Sequence, residues 1–374
     1  MVKRPRYGVL LANTGTPQAP TAQALRRYLG QFLMDRRIAP MPRALWWPLV
    51  HLCILPARSR KSAEKYRLIW TDEGSPFLVA HERLATALQA AFDEAAIPGE
   101  AFGMAGSQED GSRSAAQRHK GSSPSGRRLF EVKVACGMSY GEPGIRTALR
   151  TLRDAGCDKV LVLPLYPQSA HSTTGAVHDA VERSLRKLGW EAPFHLIDNY
   201  HDNPSYIRAL AASLAHKGFG EQAGDRVLFS YHSIPLKDIE AGDKYELQCD
   251  ASSLQIASEL GIERKLWTIA YQCRFDKGRT WLGPFVDSVL ERWAEAGVGR
   301  VFMVCPGFSV DCLETLYDVE YDVRPAYEQA CALRGSPLAE GGFVYVPCLG
   351  RTKAHVKVLY DVLMPFIEQF GATP

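Results

Sequence analysis

Short apolar runs of strand character alternate with amphipathic helical stretches four times along this chain, and then four times again. That alternation limits the possible folds more than any other feature. The first set is YGVLLAN (7–13), LFEVKVAC (129–136), KVLVLPLY (159–166) and FHLIDNY (194–200). The second is RVLFSYH (226–232), KLWTIAYQC (265–273), RVFMVCP (300–306) and FVYVPC (343–348), with helical periodicity between runs as at 144–155 and 281–296. Strands alternating with helices are joined by crossovers, so their sheets are parallel. The expectation is an α/β fold in two similar four-stranded halves with a cleft between them. LVLPLYPQ and FMVCPGFS each end a strand in proline and aromatic residues and then open into a helix, so both loops should line that cleft.

One of those loops leads into an acidic row. In CPGFSVDCLETLYDVEYDV, Glu314, Asp318 and Asp322 recur every fourth residue, which stacks them on one face of a helix. Like charges at this spacing disfavour an isolated helix by roughly 0.2–0.5 kcal/mol per pair, and no neighbour in sequence offsets them. Such a row suits metal ions or mobile protons; the plain alternative is a solvated acidic face. A second polar group, His232, ends the run RVLFSYHSIP just before a proline. Both groups would emerge at carboxyl ends of buried strands, where open α/β sheets bind ligands.

Composition removes several classes of function. At 374 residues and 46% hydrophobic content the chain can bury a large core, enough for two domains. Its 44 basic and 41 acidic residues leave a net charge of +3, which gives no electrostatic case for nucleic acid. The nine cysteines contain no Cys-x-x-Cys pair or zinc-type spacing, the usage of reduced thiols in the cytosol. Cys136 and Cys305 end apolar strands and read as core thiols. The apolar run near the amino terminus is too short for a signal peptide, and no stretch reaches the 18 or so apolar residues of a membrane span.

Two segments stand outside the alternation. Residues 105–128 are rich in Gly, Ser and charge, and read as a disordered surface insertion with a basic cluster at Arg118, His119, Lys120, Arg127 and Arg128. Residues 29–56 set Phe32, Leu33, Met34, Trp46, Trp47, Leu49 and Leu52 beside Arg36, Arg37 and Arg43. That mixture suits an interfacial lip that admits a flat apolar ligand or dips into a membrane surface; a buried helical hairpin is the alternative.

With LANTGTP at the start, KYRLIW and EGSPF at 65–77, GMSYGEP at 137–143, LPLYPQ followed by STTGAV, then SYHSIP, YQCRF, WLGPF and CPGFSVDCLETL, the chain resembles the ferrochelatases over nearly its full length. These enzymes insert ferrous iron into a porphyrin as the last step of haem synthesis. The resemblance implies two Rossmann-like halves without a dinucleotide: 1–200, carrying the lip 29–56 and rejoined by a carboxyl-terminal helix at 352–372, and 201–351. It puts the catalytic histidine at His232 and its partner carboxylate at Glu314, both also expected to meet the metal. Asp318 and Asp322 continue as a proton or metal conduit, and Asp311 shapes the same loop. Phe32, Leu33, Met34, Tyr140, Tyr166, Gln168, Ser172 and Thr173 are the expected macrocycle contacts.

The chemistry fits these residue types. Metalation exchanges two pyrrole N–H protons for one Fe²⁺, and neutral imidazole can accept such a proton or ligate the metal. Thr14 and Gln168 stand where the coproporphyrin branch generally has tyrosine and histidine, so protoporphyrin IX is the expected substrate, with iron the second substrate. Ser169 and Cys273 depart from residues common among relatives. No resident cofactor is expected, and no [2Fe–2S] cluster, because no cysteine follows Cys348. The expected location is cytoplasmic, with peripheral contact to the inner face of the membrane through the lip. Two alternatives stay open: a chelatase for coproporphyrin or another tetrapyrrole, and a non-catalytic haem or porphyrin carrier. A many-carboxylate macrocycle has little need of Trp46 and Trp47, and a carrier has no use for a row of like charges.

Overall fold

A computed structural model describes residues 5–95 and 130–372, apart from positions 221, 223, 275, 277, 336, 337, 339 and 340. The insertion expected at 105–128, with its basic cluster, lies outside the described residues.

Strands form at all eight apolar runs: β1 Arg6–Asn13, β2 Glu131–Met138, β3 Lys159–Pro164, β4 Phe194–Leu196, β5 Arg226–His232, β6 Trp267–Gln272, β7 Val301–Val304 and β8 Phe343–Val346. Every pairing between them is parallel. The sheet orders are β2-β1-β3-β4 and β6-β5-β7-β8, so the second half repeats the strand order of the first. In each half the chain steps to one side of the first strand and then crosses to the other. This leaves a switch point between β1 and β3, and another between β5 and β7.

The strands lack a polar face because both faces are covered. Along β1, Val9 and Leu11 join the large central core, while Leu10 and Ala12 pack under the outer helices Ile145–Asp154 and Thr174–Leu188. The first of these helices buries Ile145, Ala148, Leu149 and Leu152, an i, i+3, i+4, i+7 stripe. Along β5, Val227, Phe229 and Tyr231 face the central core and Leu228 faces the outer one. Each fully buried side chain of this size contributes about 1.5–3 kcal/mol. The carboxyl-terminal helix Lys353–Ala372 packs on the helices Pro76–Glu94 and Pro204–His216, adding Val358, Leu359, Leu363 and Ile367 to the central core. Asn203 caps Pro204–His216, its side chain accepting from the amides of Ser205 and Tyr206.

The lip is longer than the 29–56 read from composition. Helix Ala22–Leu33 is followed by Arg43–Pro48, a π-helical turn at Leu49–Ile54 and the helix Leu55–Ile69. These pack on one another through Leu25, Leu29, Leu33, Val50, Leu55 and Tyr66 in a separate small core.

Candidate active site

The β5/β7 switch point delivers the histidine. His232 is the last residue of β5, and alternation puts it on the face of Leu228 and Ser230, opposite Val227, Phe229 and Tyr231. That is the face toward which the loop after β7 returns with Glu314. Ser230 Oγ donates to Gln272 Oε1 at 2.7 Å, and Gln272 Nε2 donates to the main-chain oxygen of Glu314 at 3.0 Å, so β6 ties the acidic helix to the strand ends. His232 is half-buried, and its Nδ1 lies 2.6 Å from the carbonyl oxygen of Ser233. A carbonyl only accepts, so in the neutral ring Nδ1 carries the hydrogen and the lone pair is on Nε2. Tyr245 Oη donates to the His232 carbonyl at 3.0 Å and steadies the residue from behind.

Asp311 anchors the acidic loop. Its Oδ1 accepts from Tyr345 Oη at 2.6 Å and Thr315 Oγ1 at 3.0 Å. Helix Leu313–Tyr317 follows, then a π-helical turn at Asp318–Val323 and the helix Arg324–Leu333. The regular α-helical ladder read from the four-residue spacing is therefore interrupted at Asp318: a π turn holds an extra residue per turn, and such turns frequently occur at functional sites. Asp318 accepts from Cys273 Sγ at 3.4 Å. Burial, and then the nearby Glu314 charge, raise the Asp318 pKa above the usual carboxylate value, although Lys65 opposes this.

The row is not uncompensated, which corrects the sequence reading. Lys65 Nζ lies 3.1 Å from Asp318 Oδ1 and 3.1 Å from Asp322 Oδ2. The offset comes from the lip, some 250 residues away in sequence, which is why local inspection does not find it. Arg58 on the same helix shares the cavity with Glu314; burial depresses its pKa, and the Glu314 charge works against that depression.

His232, Glu314, Asp318, Cys273, Arg58 and Lys65 line one cavity of about 550 Å³ that lies where the two switch points face each other. On the first-half side, Thr14 Oγ1 and Tyr166 Oη are 2.6 Å apart, joining the residues that follow β1 and β3. Gly15 makes the β1 turn possible: its φ is +107°, and a Cβ there would stand 1.9 Å from the Tyr140 carbonyl oxygen. Asn13 Nδ2 lies 2.9 Å from His81 Nε2, whose Nδ1 is 2.7 Å from the Phe77 carbonyl. Burial pushes the His81 pKa down to about 4, so the ring is neutral and accepts from the amide. The loops of the two halves are tied by Ser309, whose Oγ donates to the Leu165 carbonyl at 2.8 Å and lies 2.7 Å from Tyr200 Oη.

Of the residues expected from sequence, His232, Glu314, Asp318, Phe32, Tyr140, Tyr166, Gln168, Ser172 and Thr173 line this cavity. Asp322 does not; it lies at the outer end of the row with its side chain 54% exposed. Leu33 and Met34, also expected as macrocycle contacts, do not line it either. Leu33 is 1% exposed and Met34 packs against the same small lip core, because the helical period that turns Phe32 to the cavity turns its neighbours away. Gln168 is 1% exposed, and its Nε2 donates to Ser252 Oγ at 2.8 Å across the halves. Ser169 likewise braces the halves, its amide donating to Gln248 Oε1 at 2.7 Å. Trp46 donates from Nε1 to the Leu33 carbonyl at 2.7 Å, whereas Trp47 is half exposed.

Sequence reading missed the basic stripe Arg58, Lys61 and Lys65, all on the cavity wall. Spacings of three and seven on one helix were the available signal. It also treated Cys273 only as a departure. Cys273 is the one non-glycine residue with positive φ among those described, at +64°, a strained conformation directly beside Asp318.

Two duplicated parallel α/β halves with a histidine and an acidic helix at the same cleft edge define a chelatase-like architecture. The fold, apart from the site, is shared with the solved structure of SirB from Bacillus subtilis with Fe3+, at a TM-score of 0.50 and 10% identity over 98% of each chain. The Ferrochelatase family profile matches residues 6–107 and 111–365. Curated ferrochelatases from Nitrosococcus oceani (37% identical over 97% of this chain and 87% of theirs) and Methylococcus capsulatus (38% over 97% and 97%) are similar throughout. One from Azoarcus is 40% identical over 92% of this chain and 83% of its own. The chain belongs to the ferrochelatase family, and is an enzyme that inserts iron into a porphyrin in the synthesis of haem.

Proposed function

We propose that the porphyrin is protoporphyrin IX and that His232 is the group that receives its pyrrole protons. The observation carrying this is the Nδ1 bond to the Ser233 carbonyl, which leaves the Nε2 lone pair as the ring's reactive position in a cavity shared with Glu314. Ferrous iron and porphyrin react to give metalloporphyrin and two protons. Each proton leaves a pyrrole nitrogen as the metal takes that nitrogen's lone pair; Nε2 accepts it, and the Glu314 carboxylate favours the imidazolium that results. Asp318 and Asp322 then offer a path for protons outward and for iron inward. No resident cofactor is needed, since iron is the substrate.

The apolar wall at Leu29, Phe32 and Ile69 supports protoporphyrin, whose vinyl groups it would cover; coproporphyrin would bring two further carboxylates to that wall. Thr14 supports the same choice, with its hydroxyl engaged by Tyr166. Comparing kcat/KM for the two porphyrins under anaerobic conditions tests the assignment. A preference for coproporphyrin would overturn it.

The lip supports a cytoplasmic enzyme that touches the inner face of the membrane. Leu45 and Leu52 are 71% and 70% exposed there, beside the half-exposed Met41, Trp47 and Leu49. Among the described residues no helix is long and apolar enough to cross a membrane. Vesicle flotation of the protein and of a Leu45→Ser, Leu52→Ser variant tests the contact: the variant should stay in solution.

A further inference from the structure

Opposite the acidic row, the helix Leu55–Ile69 presents Arg58, Lys61 and Lys65 to the same cavity. The two rows match along their length. Arg58 shares the inner end with Glu314, and Lys65 lies at the outer end between Asp318 and Asp322. We propose that Lys65 is a tethered competitor for the incoming metal: its ammonium holds the gap between Asp318 and Asp322, and a divalent ion must displace it to move inward. The proposal rests on the reading of the row as the metal's path and adds a selectivity step to it.

Three observations carry the argument. The ammonium is 3.1 Å from an oxygen of each aspartate, so it occupies the midpoint where a bridging cation would gain most. The hold is weak enough to exchange, because the side chains of Lys65 and Asp322 are 37% and 54% exposed and water can replace either partner. A third contact does not depend on the carboxylates: the Tyr317 ring lies 4.3 Å from Nζ and still attracts the ammonium when a metal ion takes over the two aspartates.

A single positive charge against two carboxylates sets a threshold. A monovalent ion gains nothing by exchange, and Mg²⁺, which dehydrates reluctantly, gains little. A borderline transition-metal ion that binds carboxylate and imidazole directly gains more. Lys65 would thus keep abundant hydrated cations from filling the outer pair while Fe²⁺ passes.

Lys65→Met keeps the aliphatic stem and removes the charge. Calorimetric titration of the full-length, porphyrin-free protein with Co²⁺ should show binding tightened by roughly three- to tenfold, the scale of losing a partly exposed ion pair on two carboxylates. The KM for ferrous iron should fall by a similar factor, and added Mg²⁺ should inhibit more strongly than in the parent. Unchanged or weaker Co²⁺ binding with unchanged iron KM would show Lys65 to be a simple brace and overturn the proposal. Lys65→Gln carries the same test if the methionine variant melts early. The double variant Asp318→Asn, Asp322→Asn separates the two layers: if it leaves the iron KM unchanged, the metal path itself fails. If it raises that KM while the Lys65 variants change nothing, the path stands and the competitor does not.

Discussion

The two switch points have the same topology and opposite chemistry. Between β1 and β3 the strand ends offer neutral hydroxyls, Thr14 and Tyr166, bonded to each other and backed by a buried neutral imidazole. Between β5 and β7 they offer His232 and Glu314, backed by the serine–glutamine relay of Ser230 and Gln272. A duplicated scaffold has thus kept its frame and changed its chemistry; in the mechanism proposed above, one edge holds a planar apolar ring and the other moves charge. The separation is physically sensible. A neutral wall does not compete with the reacting centre for protons, and the charged wall can be tuned without disturbing the grip.

The largest break in this comparison should come at the charged edge. His232→Ala is expected to lower turnover by roughly 10²–10⁴-fold, the range for a lost general base, while porphyrin still binds with near-parental affinity. Near-normal turnover would falsify the assignment. Glu314→Gln preserves shape and removes the charge that favours imidazolium, so its loss should approach that of the histidine variant. Fluorescence titration of porphyrin, run beside the turnover assay, distinguishes lost chemistry from a lost site.

A second difference concerns acid. His81 and His355 are both buried, and burial pushes each pKa down to about 4 from the ordinary 6.5. The unfolded chain therefore binds more protons than the folded one between these values. Stability is full above about pH 6.5 and is lost as pH falls toward 4, by on the order of 3 kcal/mol per histidine. His81 supports Asn13 at the first switch point, whereas the support at the second comes from Ser230 and Gln272, whose side chains do not titrate. Hydrogen exchange at pH 5 should show β1 and the helix Pro76–Glu94 losing protection before β5 and β6. Uniform loss across both sheets would remove the asymmetry.

Along the acidic row the effect should be graded. Asp318→Asn is expected to raise the iron KM by about tenfold and Asp322→Asn by less, since Asp322 is the more exposed and lies outside the cavity. Equal iron constants in both variants and in the parent would return the row to an ordinary acidic surface.

How much of this was legible in the sequence follows from which contacts are local. Strand identity was, because residues such as 226–232 are apolar enough to be buried on both faces, and the eight runs are observed as eight parallel strands. The positions of His232 and the acidic helix at strand ends followed from the same pattern. What escaped was long-range or depended on rotation about a helix. Lys65 meets Asp318 only through the tertiary fold, so the row read as uncompensated. Leu33 and Phe32 are equally apolar neighbours, and only packing decides that Phe32 lines the cavity while Leu33 enters the core. The π turn at Asp318–Val323 has no signature in a four-residue spacing, which fits a regular helix equally well.

The smallest expected effect probes the neutral edge. Tyr166→Phe removes one partner of the 2.6 Å contact with Thr14 and leaves the ring in place. Both residues line the cavity, and burial already raises the Tyr166 pKa above its usual value, so the phenol stays protonated and acts as a donor or acceptor without charge. Losing one neutral hydrogen bond amounts to about 1 kcal/mol. The porphyrin KM should therefore rise by roughly two- to fivefold, with kcat and the iron KM unmoved. Thr14→Val, which removes the other partner, should match it, and the double variant should cost little more than either alone because the two share one interaction. If Tyr166→Phe instead lowered kcat as His232→Ala does, the neutral edge would be taking part in proton transfer, and the division of work between the two switch points would not hold.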